Sequence, residues 1–564
     1  MGLGYIGRIL PHVRTVYETD AEISSALVRR SEDDEDEDFV YKDEAKRKFW
    51  DFFDEFEYRK NKPAKFKYLF TKSRSELERK LLLKLDIMIT FYGFLGYWVK
   101  FLDSANLNNA YVSGMKEDLG MVSNDLVDTQ NMYYIGAIIF TLPFAYILPR
   151  YPAPYVLMTG EFVWSLFTLV TYAVPNLKAL KAFRFFVGAA ETTYFPIIHY
   201  AFASWFKPHE ITKRAGFFYV GQYLGTLTSG LVQGSVYDSL NGVNGLSGWR
   251  WAFIIDSLIS FAVCFIGFFA IPGTPFKCYS LFLTDDEIKL ARRRMRENGT
   301  HDGLVLTNFF DKKTWKKIFT SWPFYAFSLG NVGGFNASNS QSGSFALWLQ
   351  SLNRYSIPKL NKLTAIPPAL GIIWLIITTT GADLTRKRFL MIVFAQLMNF
   401  IANIILAVWD VSEKAKWFAF YFSYWAWSQS SVFYPLQNDV LRHDTNRRSI
   451  EWVLTYTIGL QSTPWISKIV WQTVDAPRYP KGFLTAALMG LAQVIVMMIC
   501  YFFYKRDERR FAKLNGVILY NSLKDESPHL EHNSEGETSP EKTRNVIEVI
   551  DDYGSNKGME SLSD

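Results

Sequence analysis

The sequence has few of the residues that build disulfide frameworks and metal sites. Only three of its 564 residues are cysteines, Cys264, Cys278 and Cys500, and they are dispersed without the spacing of metal ligands. Two of the three lie in apolar stretches, where a cysteine usually packs as a small hydrophobic side chain. We therefore expect no disulfide framework, no metal site and no cofactor.

Catalytic motifs are lacking as well. The sequence contains no recognisable pairing of a nucleophile with a base and no glycine-rich phosphate loop, which argues against an enzyme. Its formal net charge of +6 comes from 61 basic and 55 acidic residues. The excess cations lie beside apolar segments, where anionic lipid explains them, so we expect no nucleic-acid partner.

The first 80 residues also show no sign of a cleavable signal peptide. The first 80 residues contain no apolar core and include the acidic run 32–38. Since a signal peptide requires an apolar core, we expect the first apolar helix to act as the insertion signal.

Apolar and aromatic side chains are abundant, at 49% and 17% of the chain. They form stretches of the length needed to cross about 30 Å of hydrocarbon. The predicted stretches are 86–107, 130–149, 154–174, 182–204, 215–236, 250–271, 321–347, 364–382, 389–409, 416–437, 451–472 and 483–504. This pattern predicts an all-α integral membrane protein with twelve transmembrane helices in two six-helix bundles.

A charged loop separates the first six stretches from the last six. The predicted units are an N-terminal tail at 1–80, a bundle at 81–272, a central loop at 273–318, a second bundle at 319–506 and a C-terminal tail at 507–564. From about residue 521 the chain is too polar to fold alone, so the C-terminal tail is expected to be disordered. A regulatory tail and an inert one both remain open.

Basic residues set the expected orientation. Clusters such as Arg386–Arg388 and Lys505–Arg506 fall on one side under the twelve-helix count, together with the basic stretch before the first helix. Cytoplasmic loops carry the excess of lysine and arginine. Both termini are therefore predicted to be cytoplasmic, in a multi-pass protein of the plasma membrane.

Ionisable residues within the apolar stretches mark a candidate site. Arg184 and Glu191 lie two helical turns apart in the fourth stretch, and Asp103 and Asn106 share a face of the first. A charge at bilayer depth is costly and usually faces a water-filled pathway or a partner. Arg184 as an interface anchor, and Glu191 or Asp103 as a structural ion-pair partner, are the alternatives.

Several motifs carry a resemblance to a known family. The chain resembles the anion:cation symporter branch of the major facilitator superfamily, in its fungal allantoate-permease-like group, over roughly residues 75–512. The motifs are Leu102-Asp103-x-x-Asn106, Arg184-Phe185-x-x-Gly188-x-x-Glu191, Trp205-Phe206 with Glu210 and Arg214, Gly248-Trp249-Arg250-Trp251, and Gly381-x-Asp383-x-x-Arg386-Lys387-Arg388. The stretch 102–119 is similar to the fungal biotin and pantothenate proton symporters.

The resemblance implies proton-coupled import of a small organic anion. Many relatives have arginine directly after the aspartate of the first helix, whereas this chain has Ser104. A site with one buried arginine suits a monocarboxylate, because a second negative charge would stay unpaired. Biotin is the expected substrate, with pantothenate, allantoate or another organic anion as alternatives and a non-transporting nutrient sensor as a further one. The expected partners are the substrate, protons and lipid, and the expected state is a monomer.

Each candidate residue has a predicted role. Asp103 and Glu191 are predicted to accept protons, and an anion bound to Arg184 would make a neighbouring acid easier to protonate. Asn106, Gln222 and Asn331 are predicted to bind polar groups of the substrate, although such amides are often plain interhelical contacts. The resemblance assigns gating to Asp383 and Arg386, in the loop between the eighth and ninth helices.

Overall fold

The computed structural model describes residues 10–18, 39–60, 75–147, 150–297, 312–442 and 444–524. Within these residues the chain is almost entirely helical, apart from one small sheet formed by its two tails. Twelve helical units, numbered α1 to α12 below, cross the molecule alternately in opposite directions. We call the face that carries the start of α1 and the end of α12 the terminal face.

The first bundle contains α1 to α6. Their bounds are Glu76–Asp118 for α1, Asp125–Ile147 for α2, Ala153–Ala173 for α3, Leu177–Glu191 with Tyr194–Trp205 for α4, Pro208–Leu240 for α5 and Gly248–Ala270 for α6.

The second bundle contains α7 to α12. Their bounds are Trp322–Asn336 with Ser344–Ser351 for α7, Ile357–Thr385 for α8, Arg388–Val408 for α9, Glu413–Phe422 with Trp425–Ser428 and Ser430–Val440 for α10, Thr445–Val470 for α11 and Gly482–Arg510 for α12.

Six of these units, α1, α3, α6, α8, α9 and α12, are individually long and apolar enough to cross a bilayer. The units α4, α7 and α10 are divided into shorter pieces. The twelve-helix, two-bundle architecture expected from the sequence is confirmed.

Close packing around α5 depends on glycine. A Cβ atom on Gly225 would lie 2.3 Å from the Trp98 carbonyl oxygen of α1, and one on Gly230 would lie 2.6 Å from the Asn361 carbonyl oxygen of α8. Small residues allow backbones to approach this closely in membrane bundles. The helix α5 therefore packs tightly within its own bundle and also against the second bundle.

The central loop contains two further helices, Asp285–Glu297 and Lys312–Phe319. The first of them binds the terminal face of the first bundle through ion pairs: Arg294 reaches Glu210 at 2.7 Å, and Lys84 reaches Glu287 at 2.8 Å. The first loop helix is therefore attached to the first bundle, whereas Ile318 of the second packs against Phe324 and Ile450 of the second bundle.

Parts of both tails are folded. Strand β1 (Val40–Asp43) pairs in parallel with strand β2 (Val517–Tyr520), with Val40 opposite Val517. The expected boundaries at 80 and 506 fall inside α1 and α12. Beyond residue 524 the expected disordered tail lies outside the described residues.

Candidate functional site

A cavity lies between the two bundles. Among the described residues that line it, Arg184 alone carries a charge. Its wall is formed by Phe101, Ser104, Ala105, Asn108, Gln130, Tyr133, Tyr134, Arg184, Gln222 and Thr226 of the first bundle and by Phe335, Asn336, Ser338, Ser340, Ser342, Tyr424, Trp427, Thr463, Ser467 and Trp471 of the second.

Arg184 forms an ion pair with Asp103 across the α1–α4 interface. Its Nη1 lies 3.4 Å from each carboxylate oxygen of Asp103, and both side chains are buried, with 4% and 1% of their surface exposed. The guanidinium also lies 5.9 Å from the centre of the Tyr133 ring. Its Nε has no hydrogen-bond partner among the described residues, so the hydrogen-bonding capacity of Arg184 is only partly used.

A second ion pair lies closer to the terminal face. Lys100 Nζ is 3.1 Å from Glu191 Oε1, and the Tyr133 hydroxyl donates a hydrogen bond of 2.8 Å to the same oxygen. Because α1 and α4 run in opposite directions, Lys100 and Asp103 meet Glu191 and Arg184 as two stacked pairs.

Lys100 is absent from the site predicted from the sequence. The signal was present, because a lysine stands inside the apolar stretch 86–107, one helical turn before Asp103. The cation missing at position 104 thus has a counterpart one turn earlier. Together the four side chains have a formal charge of zero, which lowers the cost of burying them.

The structure separates the predicted polar residues. Gln222 lines the cavity. Asn106 is buried behind the wall, and its amide nitrogen has no partner among the described residues. Asn331 lies inside the second bundle, where it donates to the Phe327 carbonyl at 2.9 Å and accepts from the Tyr434 hydroxyl at 3.2 Å. The roles assigned to these three residues stay predictions.

An aromatic layer lies between the cavity and the terminal face. Phe195 of α4 stacks on Trp452 and Tyr456 of α11, with ring centres 5.7 and 4.9 Å apart. His199 also stacks on Trp452, at 5.0 Å. Since these rings belong to opposite bundles, the layer joins the two bundles on the terminal-face side of the cavity.

A charged cluster occupies the terminal face of the second bundle. Asp439 of α10 accepts two hydrogen bonds from Arg59, at 3.1 and 2.8 Å, and one from Arg388 at 2.8 Å. Arg59 continues to Glu508 of α12 at 2.6 Å, and Arg388 continues to Glu55 at 3.0 Å. Two of these residues come from the N-terminal segment 39–60, which therefore binds the second bundle.

Asp383 and Arg386 lie at the end of α8, a few residues before Arg388 of this cluster. Arg386 has a positive φ of 56° and caps the end of α8, while Asp383 lies one turn earlier on that helix. Arg388, two residues further along, makes the contacts to Glu55 and Asp439. The gating roles of Asp383 and Arg386 stay predictions.

Two six-helix bundles around a central cavity define a membrane carrier, and comparison with known proteins gives its family. A model described as Major Facilitator Superfamily matches residues 93–450. The chain belongs to this superfamily. It is a membrane transporter and not an enzyme, as the sequence predicted.

The chain is 40% identical to the "Vitamin H transporter" of Saccharomyces cerevisiae over 526 residues, covering 91% of this chain and 87% of the relative. It is 29% identical to the "Pantothenate transporter liz1" of Schizosaccharomyces pombe, covering 85% and 93%. Among solved structures, the partially occluded inward-open xylose transporter XylE from E. coli matches with a TM-score of 0.52 at 14% identity, covering 74% of this chain and 99% of that one. This last likeness concerns the fold alone.

Proposed function

We propose that this protein is a proton-coupled symporter that imports a small organic monocarboxylate, with biotin as the substrate. The observation that carries the proposal is Arg184, the single charge on the described cavity wall, held by Asp103 with long contacts. A lone cation suits one carboxylate, because a second one would stay unpaired in a medium of low dielectric. The likeness to a vitamin H transporter supports biotin among monocarboxylates.

Coupling follows from competition for Arg184. A substrate carboxylate that binds the guanidinium from the cavity displaces part of its interaction with Asp103. The acid then loses its stabilising cation, and protonation becomes favourable. Substrate and proton thus bind together, with Asp103 as the first proton acceptor.

Glu191 provides the second step. Its partner Lys100 lies one turn from Asp103 on α1. Protonation of Asp103 therefore changes the electrostatic potential at both Lys100 and Glu191. A proton that reaches Glu191 would release Lys100 and bring the charge change closer to the aromatic layer. We assign Glu191 the role of linking proton binding to the opening of that layer.

We further propose that the terminal face is cytoplasmic and that the protein lies in the plasma membrane. For release to the cytoplasm, Phe195 and His199 must separate from Trp452 and Tyr456. The terminal-face cluster would control this movement, with Asp383 and Arg386 on the adjoining end of α8 and Arg388 and Asp439 in the cluster itself.

Uptake in yeast cells that lack their own carriers tests the proposal. Radiolabelled biotin, pantothenate and allantoate are supplied at pH 5 and pH 7.5, with and without a protonophore. We expect saturable biotin uptake that is stronger at pH 5 and collapses with the protonophore. Pantothenate uptake alone would transfer the assignment to that monocarboxylate, for which the 29% identical relative is the precedent. No uptake of any of the three by protein present at the cell surface would refute vitamin transport and favour a sensor.

A further inference from the structure

The helix α7 is interrupted where it faces the cavity. Its first piece ends at Asn336, its second begins at Ser344, and Gly343 between them has a φ of +69°. We call residues 337–343 the α7 break. A break inside a membrane helix frees backbone groups that water cannot reach, so such breaks persist only where protein or a polar cavity satisfies them.

Amide side chains of α9 hold one side of the α7 break. Asn399 Nδ2 donates to the Ala337 carbonyl at 3.0 Å. Asn403 accepts a hydrogen bond from Asn339 Nδ2 at 3.2 Å and donates to Asn399 Oδ1 at 2.8 Å. Asn399 and Asn403 are fully buried. These two residues lie about sixty positions after the α7 break in the sequence, yet their side chains form hydrogen bonds with it.

The amide ladder continues away from the cavity. Asn399 also donates to Gln396 Oε1 at 3.3 Å, and Gln396 donates to Gln493 Oε1 of α12 at 2.7 Å. A connected set of buried hydrogen bonds fixes geometry more firmly than isolated contacts do. The α7 break is therefore held by hydrogen bonds on the side away from the cavity, from α9 directly and from α12 through Gln396.

The other side of the α7 break faces the cavity with hydroxyl groups. Ser338, Ser340 and Ser342 line the cavity, as does Asn336 at the end of the first piece. The Ser338 and Ser340 hydroxyls lie 2.7 Å apart, and Trp427 Nε1 donates to Ser340 at 2.8 Å. The described lining residues of the second bundle are all uncharged.

The cavity thus has two chemically different walls. The first bundle provides a cation beside neutral polar side chains such as Gln222, whereas the second provides neutral groups alone, among them a row of serines on the α7 break that both donate and accept hydrogen bonds. A substrate that uses both walls has a carboxylate at one end and a neutral group with N–H donors and a carbonyl acceptor at the other. An amide or a cyclic urea meets this requirement.

We propose that the α7 break is the specificity element of the site, which binds the neutral amide or urea end of the substrate while Arg184 binds its carboxylate. Ser338 and Ser340 make the contacts, and Asn399 and Asn403 are positioning residues that act through the break. This inference rests on the proposed function and refines it.

Competition against radiolabelled biotin uptake separates the two ends. One competitor is biotin methyl ester, which keeps the urea but lacks a free carboxylate. The other is the tetrahydrothiophene pentanoate that keeps the ring and the carboxylate but lacks the urea. For each variant, the ester ratio is the inhibition constant of biotin methyl ester divided by that of biotin. The urea ratio is the inhibition constant of the urea-free analogue divided by that of biotin.

For Ser338→Ala and Ser340→Ala we expect the urea ratio to fall about fivefold, the effect of one neutral hydrogen bond, with the ester ratio unchanged. Arg184→Gln should reduce the ester ratio, because the variant no longer distinguishes a carboxylate from its ester. The matched control is Ser328→Ala, since Ser328 is a buried serine on the first piece of α7 and is not among the lining residues. It should alter neither ratio.

Asn399→Ala tests the positioning role. It should lower the urea ratio alone, whereas general damage to packing would weaken all competitors in parallel and reduce the amount of protein at the cell surface. Normal biotin uptake with both ratios unchanged, or lowered together, in Ser338→Ala and Ser340→Ala would overturn the inference and leave the proposed function standing. Absence of biotin uptake by the unmodified chain would instead overturn the proposed function, and this inference with it.

Discussion

The cavity cluster (Arg184, Asp103, Lys100 and Glu191) and the terminal-face cluster (Arg59, Arg388, Glu55, Asp439 and Glu508) are built differently. In the cavity cluster, Arg184 meets Asp103 through contacts of 3.4 Å and retains an unused Nε. In the terminal-face cluster, Arg59 forms a bidentate pair with Asp439 and further short contacts to Glu508 and to the Tyr504 hydroxyl. In the cavity cluster Arg184 retains hydrogen-bonding capacity for a further partner, whereas Arg59 in the terminal-face cluster already makes several short contacts. The first arrangement suits a site that binds and releases ligands, and the second suits a structural latch.

The two clusters also differ in origin. The four residues of the cavity cluster come from two helices of one bundle. The terminal-face cluster joins α9, α10 and α12 to the N-terminal segment 39–60, and the Phe56 ring lies between the guanidiniums of Arg59 and Arg388, 5.2 and 5.1 Å from them. A segment that looks like a tail in the sequence therefore completes the terminal face of the second bundle.

The largest effect is expected at Arg184. Arg184→Gln removes the cation that binds the substrate carboxylate and leaves Asp103 without its partner. We expect kcat/KM for uptake to fall on the order of 100-fold, as for the loss of one partner of a buried ion pair. Initial uptake rates, normalised to the protein at the cell surface, measure it. Uptake within a few fold of the unmodified chain would show that substrate binds elsewhere.

Glu191 separates transport from coupling. In Glu191→Gln we expect biotin exchange across the membrane to continue, while net uptake loses its dependence on pH between 5 and 7.5. The matched control is Glu161→Gln, because Glu161 is equally buried but accepts a hydrogen bond from the Tyr92 hydroxyl and lies outside the cavity cluster. The control should keep its pH dependence. Retained pH dependence in Glu191→Gln would assign Glu191 a structural role.

Arg59 tests the latch. Arg59→Ala removes contacts to Asp439 and Glu508 far from the cavity, so we expect the maximal uptake rate to fall about two- to tenfold with KM unchanged. Arg509→Ala is the matched control, because Arg509 pairs with Glu44 at the exposed edge of the same tail region. The control should behave like the unmodified chain. A rise in KM without a change in maximal rate would mean that the terminal-face cluster acts on binding instead.

The smallest effect concerns the pH range over which the N-terminal segment 39–60 stays bound to the second bundle. Burial opposes ionisation of Glu57, but hydrogen bonds from Arg47, Lys42 and Lys505 outweigh it and lower the Glu57 pKa from 4.5 to about 2. A depressed pKa stabilises binding of the segment above pH 4.5, and this contribution is lost as the pH falls toward 2.

We therefore expect an environment-sensitive dye at Lys46→Cys, an exposed position on the segment, to give a constant signal from pH 8 to about pH 5 and to change only below pH 4.5. Adding Glu57→Gln should weaken binding at neutral pH and remove this change. A transition near pH 6 in the purified full chain would point to a different titrating group.

Much of the fold was accessible from the sequence because membrane helices are defined locally. Each apolar stretch had to satisfy its own backbone in lipid, so length and hydropathy located all twelve helices. Helix ends were less accurate, as α1 begins at Glu76 and α12 runs to Arg510, because both extend beyond the apolar stretches as polar, amphipathic turns.

The candidate site was predicted less completely. The sequence placed Asp103 and Asn106 on one face of α1 from helical spacing. In the structure Asp103 has a charged partner, Arg184, and Asn106 has none among the described residues. A lysine inside the apolar stretch 86–107 is a signal in the sequence, but only the packing of α1 against α4 shows that Lys100 pairs with Glu191. Asn331 was selected by residue type, and the residues of α7 that line the cavity begin only at Phe335 and Asn336.

By itself the sequence determined the class of protein: a chain of apolar stretches interrupted by a few costly charges, with the motifs of a transporter superfamily. Tertiary structure alone decided which charges meet. The pairs Arg184 with Asp103, Lys100 with Glu191 and Arg59 with Asp439 join residues 81, 91 and 380 positions apart. The physical reason is that hydropathy acts within one helix, whereas ion pairs and amide ladders depend on the rotation and depth of neighbouring helices, which packing of the whole bundle fixes.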